Sequence, residues 1–194
     1  MLDKSVYMEN KEYIKSKKRN LKEQDLLYLL NNKFNMQEKQ YLQTIQEKIK
    51  NSTNESEKAY YKRMITLLAE PNLTEIEPHP VKDIVDKIVN SDYYKGFKIV
   101  KSPEIVNEYA TFDLFFFPKN HVARRPSDSF FIEKKEDTKN SILLRPHTTV
   151  IWYYYLLEQG GKEKLEKNWD VKVLSYGKVY RVDNLDKTHH QVFH

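Results

Sequence analysis

The sequence predicts an α+β fold, with a helical region over residues 1–78 and a mainly β region over residues 79–194. Residues 1–70 contain neither glycine nor proline, and their apolar side chains recur at helical spacing. From residue 79 onward, short apolar and aromatic runs are separated by prolines, a pattern typical of strands and turns. Strands and long helices do not alternate in this second region, so we expect its sheet to be mostly antiparallel.

The helical region divides into three amphipathic stretches. They cover a leucine cluster at 26–30, an apolar stripe over 36–49 and a second stripe over 56–68. The polar segment 51–56 separates the last two stretches, which favours an antiparallel helix pair. Three prolines, Pro71, Pro78 and Pro80, end this region.

The second region opens with an amphipathic helix over 81–93 that closes near Gly96. Strands are predicted at 97–100, 112–117, 129–133 and 142–145. A further helix follows Pro146, with Thr148 or Thr149 as its N-cap. Two last strands, 171–176 and 178–182, meet at Gly177.

Composition excludes several kinds of protein. The chain has no cysteine, which rules out disulfides, iron–sulfur clusters, thiol nucleophiles and cysteine-based zinc sites. It has neither a long apolar run nor a signal-like N-terminus, so we expect a cytoplasmic protein without membrane contact. With only four glycines and no glycine-rich loop, a phosphate would have to be bound by side chains, for which arginine is best suited.

The net charge of +5 is a modest excess spread over both halves of the chain, with a local excess at the N-terminus. Residues 1–22 hold seven Lys or Arg against three acids. Such a basic excess is compatible with a nucleic-acid partner, although a solvated helix face is the more common explanation.

The segment with the most chemistry is GKVYRVDNLDKTHHQVFH, at 177–194. Strand alternation places Arg181 and Asp183 on one face, which most often indicates a structural ion pair. The flanking loop also offers His189 and Phe193, and charge beside an aromatic ring suits a nucleotide. A metal site built by the C-terminal histidines is disfavoured, because no carboxylate stands at a ligand-like offset.

From His79 to His194 the sequence resembles the α subunit of phenylalanyl-tRNA synthetase, a class II aminoacyl-tRNA synthetase. The matching blocks, in order, are HPVKDIVDKIV, GFKIVKSPEI, FDLFFFP with KNHVAR and DSFFIE, LLRPHTT, and GKVYR followed by THHQVFH. The resemblance implies the first half of a class II antiparallel sheet flanked by helices. It also implies that residues 1–78 form a helical arm that contacts tRNA.

The resemblance assigns an ATP site to the last block. Arg181 would be the catalytic residue that holds the α-phosphate, Phe193 would stack on adenine, and His189 would approach the phosphates. Mg²⁺ would accompany ATP.

The resemblance also assigns an amino-acid site. His147 and Thr149 would contact the backbone of phenylalanine, Asp183 would lie near its amino group, and Phe131 would form an aromatic wall.

The implied function is that of the α chain of phenylalanine–tRNA ligase, which activates phenylalanine with ATP and transfers it to tRNA-Phe. Its implied partner is the β subunit, in an (αβ)₂ assembly. The sequence ends at His194, before the family's third motif, so we expect a truncated chain that is incomplete on its own. Trp152 and Tyr154 stand where the family usually has Gln and Arg.

Two alternatives follow from these departures. One is a degenerate paralogue that binds nucleotide or RNA without aminoacylation. The other is an interaction protein with a purely structural role.

Overall fold

The computed structural model describes residues 23–158, 166–167, 171–184 and 189–194. The chain divides into two compact units, one ending at Pro71 and the other beginning at Asn72. No helix among the described residues combines the length and the apolar character needed to cross a membrane.

The first unit contains three helices, α1 (Glu23–Lys33), α2 (Met36–Asn51) and α3 (Glu55–Ala69). Asn35 begins α2 through a capping box, in which the Glu38 amide donates to Asn35 Oδ1 at 2.9 Å and the Glu38 side chain accepts from the Asn35 amide. Asn54 begins α3, since its Oδ1 accepts from the amide of Ser56 at 2.9 Å. The three helices predicted from the sequence are confirmed.

The core of this unit is formed by one apolar stripe on each helix. The fully buried side chains recur three or four residues apart along α2 and α3, which is the spacing that keeps them on one face. They are Leu30 on α1, Leu42 and Ile45 on α2, and Met64, Ile65, Leu67 and Leu68 on α3.

The second unit mixes short helices with short strands. Its helices are α4 (Pro80–Val89), α5 (Glu108–Thr111) and α6 (Ile151–Glu158). Its strands are β1 (Lys98–Ile99), β2 (Ile105–Asn107), β3 (Phe131–Glu133), β4 (Ile142–Leu144), β5 (Val173–Leu174), β6 (Val179–Tyr180) and β7 (Val192–Phe193). The α+β prediction is thereby confirmed.

Pairing among the described strands is mainly antiparallel. Strand β4 lies between β2 and β3, with Leu143 opposite both Val106 and Phe131. Strands β6 and β7 form an antiparallel pair in which Val179 faces Phe193. The exception to the predicted antiparallel sheet is the pair β1 and β5, which is parallel.

The predicted strand at 112–117 is wrong. A 3-10 turn at Asp113–Phe115 lies in this segment, directly after α5, and Phe116 ends the turn with φ 56°. The helix forms because the Asn107 side chain accepts from the Ala110 amide at 2.7 Å. Within 112–117, the amides of Phe115 and Phe117 donate to the carbonyl of Phe112 and the amide of Phe116 donates to that of Asp113. These local backbone bonds outweigh the β preference of a run of aromatic residues.

The predicted threonine N-cap of the helix after Pro146 is also wrong. A 3-10 turn at Thr148–Val150 precedes α6, and the cap position of that turn is His147. The Thr149 hydroxyl is bonded to the His147 ring instead.

Candidate functional site

His147 is held in one tautomer by two hydrogen bonds. Its Nε2 lies 3.0 Å from the carbonyl oxygen of Thr111, and its Nδ1 lies 2.5 Å from the Thr149 hydroxyl. Because a carbonyl oxygen can only accept, Nε2 carries the proton. Nδ1 of the neutral ring is then the acceptor, and Thr149 donates to it.

Three phenylalanine rings surround the imidazole. Phe117 is stacked with it, at 6.3 Å between centroids and 11° between planes. Phe115 and Phe112 approach edge-on, at 5.6 Å and 6.4 Å. Burial among these rings lowers the pKa of His147, and the hydrogen bond to the Thr111 carbonyl opposes that effect only in part.

Phe131 lies in the hydrophobic core next to this site. It is 4% exposed and belongs to a cluster with Val106, Phe112, Leu143 and Val150, against which Phe117 packs. The cluster that contains Phe131 therefore includes Phe112 and borders Phe117, the two rings that also face His147.

Arg181 and Asp183 form an ion pair after strand β6. Arg181 Nε lies 3.3 Å from Asp183 Oδ1, and the arginine side chain is 63% exposed while that of the aspartate is 18% exposed. The Arg181 guanidinium is therefore accessible to solutes, and the Asp183 carboxylate contacts it at Nε. His189 is exposed on the segment that precedes β7.

The β6–β7 hairpin presents Arg181 and Phe193 on the same face. Val179 pairs with Phe193, and the Arg181 amide donates to the carbonyl of Gln191 at 3.1 Å, so strand alternation places Val179, Arg181 and Phe193 together. Burial agrees, because Tyr180 and Val192 on the other face are buried.

One backbone hydrogen bond connects the hairpin to the segment before β3. The amide of Val182, between Arg181 and Asp183, donates to the carbonyl of Asp128 at 2.9 Å. The structure therefore groups the candidate residues in two sets. One set is Arg181, Asp183 and Phe193 on the hairpin, and the other is His147, Thr149 and Phe131 around the phenylalanine cluster.

Arg145 is the central residue of a buried polar network that the sequence did not predict. Its Nε donates to the carbonyl of Lys178 at 2.7 Å, and its Nη1 donates to the carbonyl of Ser102 at 2.7 Å. The buried Tyr180 hydroxyl donates to Glu104, whose carboxylate lies 3.4 Å from Lys178 Nζ. The available signal was a charged residue directly beside an apolar run, as in ILLR and GKVY.

Arg124 leads a second such network. It is 5% exposed, and its partners are Glu108, Asp113 and the carbonyl of Phe117. Burial opposes ionisation of Asp113, but hydrogen bonds from Thr138 and Arg124 outweigh it and hold the pKa of that carboxyl below its usual value.

A metal centre is not evident in the described part of the chain, where no group of three or more His, Asp or Glu side chains is arranged to hold an ion.

Comparisons with known proteins give a consistent result. Residues 65–194 match the family described as "tRNA synthetases class II core domain (F)". The chain is 34% identical over 116 residues to the phenylalanine–tRNA ligase alpha subunit of Desulfitobacterium hafniense strain DCB-2, covering 60% of this chain and 30% of that protein. It is 31% identical over 130 residues to the phenylalanine–tRNA ligase alpha subunit of Wolbachia pipientis wMel, covering 67% of this chain and 35% of that protein.

Among solved structures, the pyrrolysyl-tRNA synthetase of Desulfitobacterium hafniense aligns with a TM-score of 0.42 and 18% identity, over 80% of this chain and 56% of that one. The chain spans 30% and 35% of the length of the two curated relatives named above.

Proposed function

Because the chain belongs to the class II tRNA synthetase core family, we propose that it acts as part of a phenylalanine–tRNA ligase α chain. The proposed reaction is activation of phenylalanine by ATP, followed by transfer to tRNA-Phe. One observation carries the proposal: Arg181 and Phe193 share the exposed face of the β6–β7 hairpin.

That face has the two groups that a nucleotide requires. A guanidinium offers planar, paired donors to a phosphate, and a phenyl ring offers a surface on which a base can stack. In the proposal Arg181 binds the α-phosphate of ATP, Phe193 stacks on adenine, and His189 approaches the phosphates. The ion pair with Asp183 limits the rotamers of Arg181 and so reduces the entropy lost on binding.

The proposed amino-acid site consists of the second set of residues together with Asp183 from the hairpin set. The carboxylate of Asp183 is suited to the substrate ammonium group, and His147 and Thr149 form a neutral hydrogen-bonding pair for its backbone. Phe131 contributes an aromatic wall through the cluster that it shares with Phe117.

The proposed chemistry requires no general base on the protein. The carboxylate of phenylalanine attacks the α-phosphorus of ATP, the bond to the β-phosphate oxygen breaks, and phenylalanyl-adenylate and pyrophosphate form. A ribose hydroxyl of tRNA then attacks the acyl carbon, the bond from that carbon to the phosphate oxygen breaks, and the hydroxyl proton leaves with the phosphate of AMP. The role of Arg181 is to orient the α-phosphate and to stabilise the charge that develops on its oxygens.

Helix α4 supports the proposal of a β-subunit partner. Its apolar side chains recur on one face, yet none of its residues is buried, and Ile84 and Ile88 are 58% and 40% exposed. An uncovered apolar helix face is typical of an interaction surface. For tRNA-Phe, the support is the basic excess of residues 1–22.

Calorimetric titration of ATP tests the nucleotide site. We expect Arg181→Ala to weaken binding by about 1.5–3 kcal/mol, the usual contribution of a charge-assisted contact. Arg125→Ala is the matched control, because Arg125 is also exposed but lies outside the hairpin. Equal ATP affinity of the two variants would place the phosphate site elsewhere. Phenylalanine-dependent exchange of pyrophosphate into ATP, measured with a β subunit present, then tests the reaction.

A further inference from the structure

Arg124 binds the segment 108–117 at three points at once. Its Nη2 donates to Asp113 Oδ1 at 2.6 Å and to the carbonyl of Phe117 at 2.8 Å, and its Nη1 lies 3.4 Å from Glu108 Oε1. Its guanidinium carbon also lies 5.2 Å from the centroid of the Phe112 ring. The side chain is buried, so these contacts are shielded from water.

Three of these partners, Glu108, Phe112 and Phe117, are connected to the surroundings of His147. Glu108 is the first residue of α5, and the carbonyl of Thr111 at the end of α5 accepts from His147 Nε2. Phe117, whose carbonyl Arg124 binds, stacks its ring on the imidazole. Phe112, beneath the guanidinium, meets the same imidazole edge-on.

We propose that Arg124 is a positioning residue that holds α5 and the Phe117 ring against the His147 imidazole. It touches no proposed substrate group and acts through the residues that form the wall of the His147 site. The inference rests on the proposed function only where that wall is said to belong to an amino-acid site.

The arrangement requires an arginine. A planar guanidinium presents donors in several fixed directions, whereas a lysine ammonium is a single compact charge on a flexible stem. Lysine at 124 could neutralise Glu108 or Asp113 but could not also hold the carbonyl of Phe117 in the same geometry. The charge of Glu108 is balanced independently by Lys134, whose Nζ lies 2.5 Å from Oε1.

The test measures how fast the Nε2 proton of His147 exchanges with water, by NMR on the full chain labelled with ¹⁵N-histidine. Exchange of the Leu144 amide, which donates to the carbonyl of Phe130 at 2.9 Å, reports opening of the core strands and serves as the internal reference. For Arg124→Lys we expect the exchange rate of the His147 Nε2 proton, divided by that of the Leu144 amide, to rise by about tenfold. The reason is that α5 and Phe117 would move away from His147 more often while strands β2, β3 and β4 stay paired.

Lys134→Gln is the matched control. It removes a cation from the same Glu108 oxygen but leaves the hydrogen bonds of the Arg124 guanidinium to Asp113 and Phe117 in place. We expect its ratio to equal that of the unmodified chain. An equal ratio in Arg124→Lys and Lys134→Gln would overturn the proposal, because Arg124 would then contribute only to general stability.

A second variant keeps the test decisive if Arg124→Lys does not fold. Asp113→Asn weakens one of the three anchors of Arg124 at a residue that is partly exposed, 21% for its side chain, so folding should persist. We expect a smaller rise in the same ratio, and no rise would contradict the proposal. None of these measurements uses ATP, phenylalanine or tRNA, so their outcome is independent of the proposed reaction.

Discussion

A Cβ atom placed on Gly177 would lie 2.8 Å from Nη2 of Arg145. The backbone of Gly177 has φ +137°, a conformation that residues with a side chain rarely adopt. The glycine thus leaves room for the guanidinium that joins Lys178, at the start of the β6 hairpin, to Ser102. The position of the β6–β7 hairpin, which carries the proposed ATP site, therefore depends on the close approach of Gly177 to Arg145.

We therefore expect Gly177→Ala to lower the free energy of unfolding by about 2–4 kcal/mol, combining backbone strain with displacement of a buried guanidinium. Gly96→Ala is the matched control, because Gly96 also has positive φ, +88°, but has no atom within 4 Å of an added Cβ. It should cost only the backbone strain, about 1 kcal/mol. Urea denaturation of both variants measures the difference, and equal losses would show that the contact with Arg145 is unimportant.

Tyr180→Phe tests the other half of the same network. The buried Tyr180 hydroxyl donates to the Glu104 carboxylate, so its removal takes one donor from a buried charge. We expect a loss of about 1.5–3 kcal/mol in the free energy of unfolding. The exposed Tyr93, at 80%, provides the control, and Tyr93→Phe should change stability by less than about 0.5 kcal/mol. A Tyr180→Phe loss as small as that of the control would contradict the assignment.

The sequence predicts those parts of the fold that depend on local patterns. The three N-terminal helices and α4 follow from periodicity and caps, and all are present. The two strands predicted to meet at Gly177 are present as β5 and β6, but β5 pairs with β1 and β6 pairs with β7. The family was also predictable, because its motifs are contiguous blocks. The prediction failed at 112–117, where the backbone hydrogen bonds of a 3-10 turn determine the conformation, whereas composition alone indicates a strand.

The buried polar networks were not predictable for a different reason. Arg145 contacts Ser102 and Lys178, which are 43 and 33 residues away in the sequence, and a charged side chain is expected at the surface by default. The sequence also could not show that Arg181 and Phe193 share an exposed face, because that follows from the register of β6 against β7.

His147 provides a prediction on pH dependence. Burial lowers the pKa of its imidazole in the folded chain below the ordinary value of 6.5. Between the folded pKa and 6.5, the unfolded chain therefore binds more protons, so stability rises with pH across this window. Above 6.5 the contribution is complete, and it is lost as the pH falls through the window.

His147→Gln should remove this pH dependence. Urea denaturation at several values between pH 5 and pH 8 measures it, and the slope attributable to His147 is at most about 1.4 kcal/mol per pH unit. His190→Gln serves as the control, because that ring is exposed. If the slope persists in His147→Gln and disappears in His190→Gln, a group other than His147 causes the pH dependence and the prediction is wrong.

Helix α4 gives the last prediction, which concerns partner binding. Ile84 and Ile88 lie one helical turn apart and are both largely exposed, so a charge at either position faces water in the isolated chain. We expect the double variant Ile84→Glu with Ile88→Glu to change the free energy of unfolding by less than about 1 kcal/mol. The same variant should fail to co-purify with a phenylalanine–tRNA ligase β subunit, because two carboxylates would be buried without partners at the interface. Lys87→Glu, on the same helix but at an exposed polar position, is the control and should keep the complex. If the isoleucine variant unfolds while isolated, α4 packs within its own chain, and retained co-purification would place the β subunit on another surface.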